Sequence, residues 1–332
     1  VVFHARFIVG HRESRESQIL REFGPLSTAQ ERRGKVVVAT QVIEQSLDVD
    51  FDFMVSDLAP IDLIVQRAGR LRRHPRTEEG DPISSPDRRS GPETLFVYGP
   101  KWQEEPSENW FEECFSKAAY VYPAHGKLWL GAQFLRKEKQ IIVPEKSREM
   151  IEYVYGDDSE DRVPQGLQSK EEAAYGEDLS QGNAAYLSAL PLLESRLTGD
   201  AYYCSSTLQW EADREFATRL THNQHRLRLV NWRKGKFVPL GQEEGEPLQW
   251  ELGEISISHL GFKGSDPRRL TDEQQEAFIE TTELPQNRYS TVLYAIPQVD
   301  DSWLIPVEMK TGFETWRYSL RMGLQNQGGR DE

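Results

Sequence analysis

Apolar positions in this chain are densest between residues 35 and 73. Lys35 to Thr40 is a short run of valines that closes on a polar residue, and Asp52 to Leu58 is a second such run. From Asp62 to Arg73 the apolar spacing becomes that of a helix. Strand, short helix, strand, helix is the rhythm of a parallel α/β sheet. At about 100° per residue, Gln66, Arg70 and Arg73 share one face of the last helix, with Arg67 at its edge. Ile64, Ala68 and Leu71 share the opposite face. The pattern predicts a helix over 62–73 that buries its apolar side on the sheet and turns a glutamine and arginines outward.

The flanking pattern is simpler. Residues 1–7 read as a strand, and Ser14 to Phe23 as an amphipathic helix with Ile19, Leu20 and Phe23 inward, ended by Gly24 and Pro25. Residues 25–34 read as a polar loop. Residues 75–93, rich in Pro, Ser and charge, read as an exposed, mobile loop before a returning strand at Thr94 to Tyr98. Helices are predicted over Trp110–Tyr120, Lys127–Leu135 and Glu145–Tyr155, then an acidic, partly helical linker over 156–183. From about residue 207 the period shortens. Strands are predicted at Phe216–Leu220, His225–Val230, Lys236–Leu240 and Glu254–His259, and as TVLYAIP and SWLIPVE around a turn at Asp300 and Asp301.

The 332 residues are enough for two domains. No apolar run is long enough to span a membrane, and no signal-peptide pattern opens the chain. Cys114 and Cys204 lack metal-ligand spacing and read as ordinary, at least partly buried thiols. The net charge of −14 argues against a generally basic nucleic-acid binder. Its distribution is uneven: residues 1–76 hold 12 basic and 10 acidic side chains, the remainder 28 and 44. Contact with a nucleic acid would therefore be a local groove.

Clustered guanidiniums repel one another unless an anion sits among them, and phosphate suits them because a guanidinium spans two of its oxygens. The plain alternative is a solvated arginine-rich surface. The neighbouring residues shift the balance. ATQVIEQSLDVDFD followed by QRAGRLRRH closely resembles the helicase half of the CRISPR-associated helicase–nuclease, the DNA-degrading effector of type I CRISPR interference. In superfamily 2 helicases the first stretch corresponds to motif V and the second to motif VI, which carries arginine fingers. FHARF, with Arg12 shortly after it, resembles the same family's motif IV region. The strong resemblance covers the first quarter of the chain. Weaker echoes are YVYPAHGKLW, VPEKSREMIEYVYG and FATRL.

The resemblance implies a RecA-like parallel sheet, the second helicase motor domain, incomplete at its N-terminus. A helical linker and a small β-rich C-terminal accessory domain follow, with boundaries expected at 1–135, 136–206 and 207–332. Such a motor domain normally has one more strand–helix unit first, so Val1 is not expected to be the natural start. ATP and Mg2+ are the implied cofactors, bound mainly by a missing domain. Implied partners are single-stranded DNA, the nuclease and first motor domains of the same protein, and a crRNA-guided surveillance complex, all in the cytoplasm. Among the implied catalytic residues Gln66, Arg67, Arg70 and Arg73, Gln66 would position the γ-phosphate or water. Arg70 and Arg73 would stabilise charge on the transferred phosphoryl group, a role worth up to about 10³–10⁵ in rate. Asp48 and Gly69 are the implied nucleotide-binding residues; Asp48 could instead only pair with Arg67 or Arg70. Arg6, Thr40 and Gln41 are the implied DNA contacts, although Thr40 could also cap the short helix after it. Ser46 replaces a glycine common in superfamily 2 and matches the narrower family. His4, His11 and His74 read as polar loop or cleft residues without an acid–base constellation.

The sequence holds no G-x-x-x-x-G-K-[ST] loop, no D-E-x-H or D-E-A-D run, and no His-Asp pair like the family's nuclease metal site. Half an ATP site is the expectation, and the chain by itself is expected to be inactive. Two other readings stay open. One is the matching half of another superfamily 2 motor, an RNA helicase or a restriction translocase. The other is a non-enzymatic adaptor that keeps a helicase-like fold for docking.

Overall fold

The computed structural model describes residues 1–44, 47–188, 224–243, 247, 249–258, 261–287 and 290–326. The chain opens with β1 (Val2–Phe3), α1 (Val9–Phe23), α2 (Ala29–Arg32) and β2 (Val38–Ala39). There follow β3 (Met54–Asp57), α3 (Ile61–Ala68), β4 (Leu95–Tyr98) and α4 (Ala118–Val121). Then come α5 (His125–Glu138), α6 (Ser147–Tyr155) and α7 (Gln165–Ser188). The last part holds β5 (Gln224–Arg233), β6 (Lys236–Pro239), β7 (Glu254–Ser258), β8 (Phe262–Ser265) and α8 (Asp272–Glu283). It closes with β9 (Thr291–Tyr294), β10 (Ile296–Pro297), β11 (Ser302–Met309), β12 (Gly312–Ser319) and β13 (Gly323–Asn326). The protein is mixed α/β. Its packing forms two compact units: residues 1–53, 70–93 and 223–332, and residues 54–69 and 94–222.

In the first unit β1 and β2 pair in parallel, Val2 opposite Val38 and Phe3 opposite Ala39. α1 packs Ile19 and Phe23 against Phe3 and Val49. Leu20, expected inward, is 40% exposed, because the buried stripe of α1 runs through Ile19, Glu22 and Phe23. Gly24 ends α1 by donating its N–H to the Leu20 carbonyl at 2.8 Å, and a Cβ at this position would overlap that oxygen. The expected polar loop contains α2, closed by a capping box in which the Thr28 N–H donates to the Glu31 carboxylate at 2.7 Å.

The same unit contains two antiparallel-rich sheets. In one, β5 pairs antiparallel with β6 and β7 and in parallel with β9. In the other, the order is β10-β11-β12-β13, with β8 also on β11. The hairpin of β11 and β12 spans Ser302–Ser319 to Met309–Gly312. β12 and β13 were not expected from the sequence, nor was α8, whose cap is the Thr271 and Gln274 pair. The core of this region takes in Phe7 and Ile8 beside Leu227, Leu293, Ile305 and Tyr318. The strand expected over 1–7 therefore covers only Val2–Phe3, because the chain dives into a different core four residues later. Phe216–Leu220, the FATRL stretch, Cys204, Ser46 and His259 lie outside the described residues.

In the second unit β3 and β4 pair in parallel from Met54–Leu95 to Asp57–Tyr98, as the strand–helix–strand pattern requires. α3 buries Ile61 and Ile64. Around them pack Trp110, Phe111, Leu128, Trp129, Phe134, Met150 and Val154. Trp110 and Phe111 are both buried in this core. The stretch expected as a helix over 110–120 runs as turns up to α4. Cys114, expected at least partly buried, is exposed. The acidic stretch holds a 3₁₀ segment at Asp157–Arg162 and then the 24-residue α7.

Candidate functional site

The decisive local difference from expectation is the end of α3. The helix stops at Ala68, and Arg70 and Arg73 lie beyond it. The backbone groups of residues 70–72 are used elsewhere. Phe51 donates its N–H to the Arg70 carbonyl at 2.9 Å, and Arg72 donates to the Phe51 carbonyl at 2.8 Å. Phe51 and Leu71 form an isolated parallel bridge. Arg72 has φ of 47°, a left-handed conformation that no helix continues through. The shared helical face of Gln66, Arg70 and Arg73 is therefore not formed. Periodicity could not reveal this, because the competing partner is Phe51, distant in sequence.

The two candidate fingers sit in different environments. Arg70 is 9% exposed and donates to the Glu44 carbonyl at 2.5 Å. Burial lowers its pKa, and the nearby Arg73 charge lowers it further, while Glu44 and Asp48 oppose both. Arg73 has a half-exposed side chain and pairs through Nε with Asp48 Oδ1 at 3.0 Å. His74 Nε2 lies 2.8 Å from the same oxygen. Asp48 thus pairs directly with Arg73 and His74, and its charge reaches Arg70 at longer range. His74, read as a bland loop residue, belongs to this constellation. Its place directly after Arg73 was the only signal available.

Thr40 is exposed at the end of β2. Its N–H donates to the Phe3 carbonyl at 3.2 Å, and its carbonyl accepts from Ile43 at 3.2 Å, starting the 3₁₀ turn Gln41–Glu44. Gln41 is the first residue of that turn and is partly exposed. Arg6 is exposed, its N–H on His4 Nδ1 at 3.1 Å and its carbonyl accepting from Leu324 at 2.8 Å.

In the other unit Gln66 is exposed on α3. Arg67 is held inward: Nη1 donates to Ser56 Oγ at 2.8 Å and to the Asp57 carbonyl at 3.2 Å, and Nη2 to Tyr122 Oη at 3.3 Å. Gly69 caps α3 in an ordinary right-handed conformation, φ −64°, and donates to the Val65 carbonyl at 3.0 Å. An added Cβ would meet nothing closer than 3.5 Å, so the fold itself does not require glycine there.

Parallel strand pairs leading into exposed and half-exposed arginines, and an antiparallel C-terminal region, fit the C-terminal portion of a nuclease/helicase. Residues 1–76 match the family described as CRISPR-associated nuclease/helicase Cas3, C-terminal. The Escherichia coli (strain K12) CRISPR-associated endonuclease/helicase Cas3 is 47% identical over 75 residues, 23% of this chain and 8% of that protein. The Thermus thermophilus counterpart is 36% identical over 172 residues, 51% of this chain and 16% of that protein. The crystal structure of T. fusca Cas3-ATP superposes over 98% of this chain and 35% of its own, with a TM-score of 0.63 and 25% identity. A chain of a CRISPR RNA-guided surveillance complex, pre-nicking, gives 0.61 and 26% identity, over 98% of this chain and 37% of that one. This chain is similar to the C-terminal portion of the Cas3 nuclease/helicases and spans about a third of the solved T. fusca protein's length.

Proposed function

We propose that this chain is part of an ATP-dependent single-stranded-DNA translocase of the Cas3 kind, supplying an arginine finger and part of the DNA track in CRISPR interference. Along the sequence the proposed functional segments are 1–135, 136–206 and 207–332, with the RecA-like motor in the first, while residues 1–53 pack in one compact unit with 223–332. The observation that carries the reading is the pairing of Arg73. An exposed ion pair contributes only about 0–1 kcal/mol. The Asp48 carboxylate can therefore aim the Arg73 guanidinium and release it at small cost to a phosphate, which it would grip through two hydrogen bonds. Arg70, buried on the Glu44 carbonyl, supports that segment and adds positive potential. Gln66 contributes an exposed amide for phosphate or water, and Arg67 braces α3 on Ser56 and Asp57.

Arg70 and Arg73 are guanidinium donors of the kind that grip phosphate, and a triphosphate, when bound, would supply the phosphoryl group to be transferred. Gly69 closes the C-terminal end of α3 with its N–H on the Val65 carbonyl, and its lack of a side chain leaves room for a nucleotide to approach that backbone. Among the described residues no group of three or more His, Cys, Asp or Glu could hold a metal ion, so no step here is assigned to Mg2+. Arg6, Thr40 and Gln41 are exposed or partly exposed donors suited to the phosphates of a tracking strand. A crRNA-guided surveillance complex is the proposed partner, the source of the single strand to be tracked.

The test is steady-state ATP hydrolysis with saturating single-stranded DNA. The chain alone is expected to be inactive. Joined to the first motor and nuclease domains it should turn over ATP, and Arg73→Lys should lower kcat at least about tenfold, equivalent to about 1.4 kcal/mol. Lysine keeps the charge but not the planar fork. Wild-type turnover by the lysine variant in the assembled protein would return Arg73 to the solvated-surface reading.

A further inference from the structure

Residues 75–93 were expected to be an exposed, mobile loop. Most of them are exposed, and among them two arginines close on one buried carboxylate. Asp50 is fully buried, anchored by its N–H on the Phe23 carbonyl at 2.8 Å. Arg76, also fully buried, donates Nε to Asp50 Oδ2 and its remaining nitrogens to the carbonyls of Gly24, Ser27 and Gly80. Arg89 reaches Asp50 Oδ2 at 3.2 Å and Asp52 Oδ1 at 2.7 Å, and Arg32 pairs with Asp52 at 2.9 Å. Burial would raise the Asp52 carboxyl, but hydrogen bonds from Arg89 and Arg32 hold it below its ordinary value. Hydrogen bonds from Arg89 likewise hold Asp87 low.

The cluster grips the backbone of one residue in particular. His74 donates its N–H to Asp50 Oδ1 at 3.3 Å, and its carbonyl accepts from Arg89 Nη2 at 2.9 Å. Two residues earlier, Arg72 is bonded to the Phe51 carbonyl through its backbone and to the carbonyls of Ser90 and Gly91 through its side chain, at 2.6 and 2.8 Å. Arg73 lies between these two clamped residues. Among the described residues, its own side chain makes the weak, half-exposed Asp48 contact.

We infer that Asp50 and Arg89 are positioning residues for Arg73: a buried carboxylate–guanidinium clamp on the N–H and carbonyl of His74 that fixes the backbone from which the finger projects. The inference rests on the proposed role of Arg73. It adds that the fidelity of the finger is set from the 75–93 segment, through groups that touch no ligand. A rigid backbone matters here because misplacing a charge by about 1 Å can cost about a hundredfold in rate.

The variant is Arg89→Lys in the complete helicase–nuclease, where lysine keeps a charge near Asp50 but cannot also reach Asp87, Asp52 and the His74 carbonyl. Its kcat for DNA-stimulated ATP hydrolysis should fall at least fivefold, with nucleotide KM within twofold. The double variant Arg73→Lys/Arg89→Lys should be no slower than Arg73→Lys alone, because both act on one group. A purely stabilising role would instead lower the active fraction and the melting temperature and leave turnover per active site intact. Should Arg89→Lys not fold, Asp87→Asn loosens the same guanidinium from a more exposed side and should give a smaller loss with the same KM behaviour. Folded Arg89→Lys or Asp87→Asn with wild-type kcat, or losses that multiply in the double variant, would overturn the clamp. An Arg73→Lys variant that is itself unimpaired would instead sink the finger reading.

Discussion

Two side chains of the same type, three positions apart, answer differently to the same substitution. Arg73→Lys should leave stability within about 0.5 kcal/mol, as at exposed sites. Arg70 was expected to be equally exposed, but it is buried on a carbonyl, so Arg70→Lys should cost about 1–3 kcal/mol, the range for losing a charge-assisted hydrogen bond. Denaturant titration of both variants decides it; equal midpoints would contradict the burial argument. His11 is a second residue whose environment the sequence did not disclose. Its Nδ1 lies 2.8 Å from Tyr318 Oη, which also accepts from the Ile8 N–H at 3.3 Å. Burial first, then the Arg15 charge, push its pKa down to about 4. The unfolded chain, near 6.5, binds the proton more readily, so stability is full above about pH 6.5 and falls as pH drops toward 4. About 3 kcal/mol is at stake over that window. His11→Phe should flatten this limb of the pH–stability curve, and an identical acid limb in the variant would count against it.

Among the elements, α3 shows how a local pattern is overruled. Its apolar face is real, with Ile61 and Ile64 buried, but its predicted last turn is replaced by pairing with Phe51. The residue at the break, Gly69, is compatible with any side chain on backbone grounds. Gly69→Ala should therefore keep the fold or gain up to about 1 kcal/mol from the less flexible unfolded chain. If a nucleotide approaches this backbone, the same methyl should raise the nucleotide KM at least threefold in the complete protein. Unchanged KM with an intact fold would remove Gly69 from the site. The strands at β3, β4, β5 to β7 and β9 to β11 were legible because their alternation or valine content is local. β12, β13 and α8 carry weaker patterns and were not.

Across the whole chain, the C-terminal sheets and the first residues are one piece of core. Phe7 and Ile8 pack with Leu227, Leu293 and Ile305. Burying each such side chain contributes about 1.5–3 kcal/mol. Deleting residues 224–332 should therefore do more than remove a proposed cover over DNA. In the complete protein it should expose residues 1–53 to limited proteolysis and lower the melting temperature. A truncated protein with native melting and protection would contradict the shared core. A test of DNA retention should instead substitute exposed positions such as Arg6, whose backbone is tied to Leu324 while its side chain faces solvent.

The sequence by itself determined the parallel strand–helix–strand rhythm, the β-rich end, the family resemblance and the identity of the candidate arginines. These depend on spacing over a few residues, which the chain writes directly. Tertiary structure decided which arginine is free to move, what Asp48 pairs with, and that residues 75–93 are clamped. Each of those depends on a partner far along the chain: Arg76 and Arg89 reach Asp50 across 26 and 39 positions. Formal charge alone would put Asp50, Arg76 and Arg89 in water. Only the folded chain, by removing water from around them, turns them into a fixed frame.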